Sequence, residues 1–111
     1  MLKIGIRGVI LCSWGATSSA LAKKVTDEAK KQGLDVVVDA GGTGEFKKKA
    51  EEYDVALLEP QVRHLKKEIE SIASKYNIPV DIVDMQAFAM MDGKKILNQI
   101  IELAKKSGKE V

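Results

Sequence analysis

Residues 8–25 read Gly8-Val9-Ile10-Leu11-Cys12-Ser13-Trp14-Gly15-Ala16-Thr17-Ser18-Ser19-Ala20-Leu21-Ala22-Lys23-Lys24-Val25. Two periodicities meet in this stretch. Ile6 to Cys12 is a nearly continuous apolar run, the pattern of a strand covered on both faces. From Ser19 to Gln32, Leu21, Ala22, Val25 and Ala29 recur at helical spacing, and Gly33 stands where a helix ends. A buried strand that runs through small residues into an amphipathic helix opens a crossover between parallel strands.

The alternation continues. "LDVVVDA" (34–40) is β-branched and strand-like, "GGTG" (41–44) reads as a turn or loop, and "EFKKKAEEY" (45–53) as a short helix. "DVALLE" (54–59) is a third buried strand. Pro60 suits a helix start, and 61–76 carries Val62, Leu65, Ile69, Ile72 and Ala73 on one face. "IPVDIVD" (78–84) is a fourth strand and "MQAFAMM" (85–91) a loop. Asp92 caps a last helix, with Ile96, Leu97, Ile100, Ile101 and Ala104 inward and Gly108 at its end. The order βαβαβαβα predicts one α/β domain over 1–111: a four-stranded parallel sheet in a three-layer α/β/α sandwich with right-handed crossovers. Cys12 then sits at the carboxyl end of a strand, where such sheets place their sites. Asp39–Gly44, Glu59–Gln61 and Asp84–Ala87 are expected around it.

Composition narrows the function. Among 111 residues, 45% are hydrophobic and 31% charged, with a net charge of +2, too little for a nucleic-acid partner. The only arginines are Arg7 and Arg63, and the lysines mix with acids at helical spacing, as on a solvated face. One cysteine excludes an intramolecular disulfide and a zinc–cysteine cluster. The N-terminus is too short and interrupted for a signal peptide, and no apolar run approaches the roughly 20 residues of a membrane span. A cytoplasmic chain with a reduced thiol is expected.

Cys12 precedes a helix N-terminus. Unpaired amides there, with the helix dipole, attract anions and favour a thiolate. Gly15 lets the chain turn; Thr17, Ser18 and Ser19 offer hydroxyls that cap the helix or bond phosphate oxygens. The alternative is a buried structural cysteine followed by a capped helix. If the stretch is functional, phosphate is the expected guest. A cysteine phosphatase loop, Cys-x5-Arg, would clamp phosphate with an arginine at the sixth residue after the cysteine. Here that residue is Ser18, and Asp84 and Asp92 are only positional candidates for a general acid. Transfer, with Cys12 accepting a phosphoryl group and handing it on, is favoured over hydrolysis by a small phosphatase or arsenate-reductase-like enzyme. A non-catalytic regulatory module is the third reading.

"ILCSWGATSSALAKKV" resembles the Cys-Ser-x-Gly-x-Ser/Thr-Ser/Thr-Ser loop of enzyme IIB of the bacterial sugar phosphotransferase system, lactose/cellobiose type. "YDVALLEPQVRHLKKEI" is similar to that family's third strand and Pro-Gln turn, and "IPVDIVDMQAFAMMDGKKIL" to its final strand, loop and Asp-Gly helix start. The resemblance implies a fold like that of low-molecular-weight tyrosine phosphatases. It implies that Cys12 takes phosphate from a phosphohistidine on enzyme IIA and passes it to a sugar bound in the membrane permease, enzyme IIC. Ser13, Trp14, Gly15, Ala16, Thr17, Ser18 and Ser19 would form the phosphate-binding loop, with no metal or cofactor and with the protein peripheral to the permease. Two residues depart from the pattern. Trp14 stands where a small residue is expected, as a docking contact, a shield for the thiophosphate or a packing residue. Glu59 replaces a glycine, where a carboxylate facing the crevice would raise the thiol pKa and repel phosphate. Glu59 and Gln61 are expected at the crevice rim. His64 reads as a helix-surface histidine or, alternatively, a proton relay or phosphate carrier. Met85, Met90, Met91 and Phe88 are packing residues or a docking surface.

Overall fold

The computed structural model describes residues 5–12 and 16–108, apart from the side chains of 16–18. The strands are β1 (Ile6–Cys12), β2 (Val36–Gly42), β3 (Val55–Leu58) and β4 (Val80–Ile82), and the helices are α1 (Ala16–Lys31), α2 (Thr43–Lys49), α3 (Lys66–Ala73), α4 (Met85–Ala89) and α5 (Gly93–Lys106). All strand pairs are parallel, in the order β2-β1-β3-β4. The expected four-stranded sheet between two helical layers is what forms.

The pleat divides the core. Ile6, Ile10, Val36, Val38, Val55 and Leu57 point to one face, against Leu21, Val25 and Ala29 of α1 and Ile96, Leu97, Ile100 and Ala104 of α5. Val9, Leu11, Ala56 and Leu58 point to the other, against Phe46, Ala50, Val62, Ile69 and Ala73. Both faces are buried, which is why the strands read as unbroken apolar runs. Gly33, with φ of +73°, ends α1 in the left-handed region as its position predicts. Gly93 lets α5 approach α1, because a Cβ there would stand 3.0 Å from the Lys24 carbonyl oxygen.

Several boundaries differ from expectation. β2 runs on through Gly41 and Gly42, which pair with Leu11 and Cys12, so "GGTG" is strand and helix start and not a loop. The helix expected over 61–76 is a 3₁₀ segment over Pro60–Leu65, α3, and a last 3₁₀ turn over Ser74–Tyr76. Val62, at φ −114° and ψ 18°, breaks the α geometry, and Asn77 at φ 57° ends the run. Residues 85–89 form α4 rather than a loop, because an Asp84 carboxylate oxygen accepts from the Ala87 amide at 3.0 Å. Asp92 caps α5 as expected, accepting from the Lys95 amide at 3.1 Å.

Candidate active site

From β1 the chain crosses to β2 on one side, then returns past β1 to β3 and β4 on the other. Winding direction therefore reverses between β1 and β3. In open α/β sheets the crevice beyond the carboxyl ends at such a point is where ligands bind. Cys12 ends β1 at this place and is 3% exposed. Its partner on β2 is Gly42, so no side chain crowds it from that strand. This neighbour was not foreseen, because parallel register is set by tertiary pairing and leaves no local sequence signal.

Helix α1 begins at Ala16, three residues before the expected start. Ala16, Thr17, Ser18 and Ser19 thus belong to the first helical turn and not to a loop. Alanine has the lowest helix cost, so a start at Ala16 is favourable. The first-turn amides lack intrahelical acceptors, and no acidic residue competes for them in that turn. Ser19 is exposed. Ser13, Trp14 and Gly15, and the side chains of Ala16, Thr17 and Ser18, lie outside the described residues.

Glu59 is not a rim residue. Its amide donates to the Leu11 carbonyl at 3.0 Å, which carries the β1–β3 ladder one residue past β3 and sets Glu59 beside Cys12. Its backbone is extended (φ −67°, ψ 151°). Its side chain is 0% exposed, and neither carboxyl oxygen has a hydrogen-bond partner among the described residues. Burial pushes its pKa above the ordinary carboxylate value. Gln61 is exposed on the 3₁₀ segment, as is His64.

Asp39 does not border the crevice. It lies within β2, opposite Val9, and accepts from Arg7 Nη2 at 2.9 Å and Nε at 3.1 Å. The Arg7 guanidinium also stands 5.4 Å from the Tyr53 ring centre, and its pKa is raised, first by the hydrogen bonds it donates to Asp39. Arg63 donates to the Pro60 carbonyl at 3.3 Å. Arg7 is therefore already engaged and cannot serve as a phosphatase clamp in this arrangement. Asp84 is committed to its cap. Met85 and Met90 are exposed, whereas Phe88 and Met91 pack on the core.

The family model for the lactose/cellobiose-specific IIB subunit of the phosphotransferase system matches residues 7–99. The chain belongs to this family. It is 35% identical over 95 residues to the oligo-β-mannoside-specific EIIB component of Bacillus subtilis (strain 168), covering 86% of this chain and 92% of that protein. It is 31% identical over 93 residues to the galactose-specific EIIB component of Lactococcus lactis subsp. cremoris (strain MG1363), covering 79% and 86%. Identity to the cellobiose-specific EIIB component of Lactococcus lactis subsp. lactis (strain IL1403) is also 31% over 93 residues, with 79% and 86% covered. The fold matches the lactose-specific IIB domain of Streptococcus pneumoniae with a TM-score of 0.82 at 22% identity, over 90% of this chain and 98% of that one. It also matches the cellobiose-specific IIB protein of Borrelia burgdorferi with a TM-score of 0.77 at 24% identity, over 96% and 97%. As an EIIB component, the chain is a phosphotransferase component of sugar uptake. Among the described residues no helix is long and apolar enough to cross a membrane.

Proposed function

We propose that residues 1–111 form one IIB domain that carries phosphate on Cys12. The observation that carries this reading is the position of Cys12: the carboxyl end of β1, at the switch point, with three residues between it and the first turn of α1. The thiolate attacks the phosphorus of a phosphohistidine on enzyme IIA. The P–N bond breaks, the S–P bond forms, and the imidazole leaves. A hydroxyl of a sugar bound in the permease, enzyme IIC, then attacks the same phosphorus. The S–P bond breaks, the thiolate is regenerated, and the hydroxyl proton passes to a base outside this chain. Amides of the first turn of α1, together with the residues from Ser13 to Ser19, neutralise charge on the phosphoryl oxygens in both steps. The chain would work in the cytoplasm, against the inner face of the permease.

The relatives, at 31–35% identity, are named as specific for oligo-β-mannosides, galactose and cellobiose. That spread fits sugar choice by the permease rather than by this domain. The engagement of Arg7 with Asp39 speaks against the phosphatase reading. The test is the intact mass after incubation with phosphoenolpyruvate, the general phosphorelay proteins and a lactose/cellobiose-type IIA. Wild type should gain one phosphoryl group and Cys12→Ser none. A folded wild type with a reduced thiol that gains nothing from several such donors would refute the carrier reading.

A further inference from the structure

A carboxyl group with no partner is an expensive thing to bury, since each unsatisfied polar atom loses its hydration without compensation. Glu59 is such a group, at 0% exposure with both oxygens unbonded among the described residues. Its place is specific. Leu11 pairs with Leu58, and the Glu59 amide extends that ladder by one step, so Cys12 and Glu59 are lateral neighbours. Leu57 and Ile10 point to the α1/α5 face, and with strict alternation through extended backbone Glu59 and Cys12 point there too. Adjacent strands lie about 4.8 Å apart, within reach of a group bonded to the sulfur. On its other side Glu59 neighbours Val83, and Ala87 of α4 is buried in the same cluster; both are apolar. Asp84 is turned to the Ala87 amide. The thiol of Cys12 is thus the titratable group set beside this carboxyl.

Resting on the carrier reading, we propose that Glu59 holds a proton beside Cys12 and, as a neutral acid, donates its O–H to a phosphoryl oxygen carried on the sulfur. An ionised carboxylate here would repel the incoming phosphoryl group; a protonated one supplies the hydrogen bond that its own oxygens lack. The direction of its pKa, raised by burial, agrees. No proton moves during transfer. The carboxyl keeps it while the S–P bond forms and while it breaks, so the balance of the two steps is unchanged. Glu59 thereby makes the transfer pH-dependent, because ionisation on the alkaline side removes the donor and adds repulsion.

The test compares wild type, Glu59→Gln and Glu59→Leu in the same phosphoenolpyruvate-driven assay, from mildly acidic to mildly alkaline pH. Each rate is taken relative to wild type, so that titration of the donor proteins cancels, and folding is checked by thermal melting. Glu59→Gln keeps a neutral donor. It should match wild type within about twofold at acidic pH and overtake it as pH rises. Glu59→Leu, with no donor, should be slower by about tenfold at acidic pH, the loss of one hydrogen bond to a charged oxygen. A constant ratio of Glu59→Gln to wild type across pH, or an undiminished Glu59→Leu, would overturn the assignment while leaving the carrier reading intact. A wild type that is never phosphorylated would overturn both.

Discussion

Two carboxylates flank β1 and are treated in opposite ways. Asp39 lies beside the middle of the strand, half-buried, and is gripped by Arg7 through two hydrogen bonds with Tyr53 alongside. Glu59 lies beside the carboxyl end, sealed from solvent and bonded to nothing described. Where charge serves only the surface, the fold gives it water and a partner. Where it meets the end of β1, both are withheld, and that is the place where Cys12 ends the strand. Unpaired burial of this kind lowers stability and is retained most readily where chemistry uses it.

The largest effect that would break this contrast is functional. Cys12→Ser should abolish phosphoryl acceptance, a loss of at least about a thousandfold because a serine hydroxyl is not ionised near neutral pH. Its urea midpoint should stay close to wild type. A large fall in stability would make Cys12 a structural residue instead.

The second effect concerns stability and its pH dependence. Glu59→Leu should raise unfolding free energy near neutral pH by about 1–3 kcal/mol, the cost of an unsatisfied buried polar group. The sign follows from linkage. The folded carboxyl has the higher pKa, so between the unfolded and folded values the native state binds more protons. Wild-type stability therefore falls as pH rises through that window and levels off above it. Glu59→Leu should lack this fall. Urea melts from acidic to mildly alkaline pH measure both features, and parallel curves for the two proteins would contradict the buried, unpaired carboxyl.

Smaller effects sharpen the comparison from the surface side. Asp84→Ala removes the cap of α4 and should cost about 1 kcal/mol in the same melts. Asp39→Asn should cost less than about 1 kcal/mol, since the Arg7–Asp39 pair is largely solvated, and the difference should shrink in high salt. If Asp39→Asn proved as damaging as a core substitution, the two carboxylates would not differ in the way described.

The strands and the long helices α1 and α5 were legible because apolar periodicity alone specifies elements buried on two faces or on one. The left-handed Gly33 and the Asp92 cap were legible because each has a single local cause. Less local features escaped. Helix α4 carried its signal in Asp84, but Met-rich sequence without a long apolar repeat read as loop. Asp39 looked like a strand end because nothing in its neighbourhood reveals that Arg7 stands across the register. Glu59 was visible as a departure, yet only the ladder bond to Leu11 and its complete burial decide between a solvated rim residue and an interior acid. The family resemblance covered nearly the whole chain, and residues 7–99 match the family model.

The central claim is that phosphate resides on the Cys12 sulfur. Phosphorus NMR of the protein after incubation with phosphoenolpyruvate and its relay partners tests it most directly, because phosphorus bound to sulfur, nitrogen and oxygen resonates at distinct positions. A single sulfur-bound resonance, absent from Cys12→Ser and unchanged in His64→Gln, is the predicted result. A nitrogen-bound resonance that persists in Cys12→Ser and vanishes in His64→Gln would contradict the account and move the phosphoryl group to the one histidine in the chain.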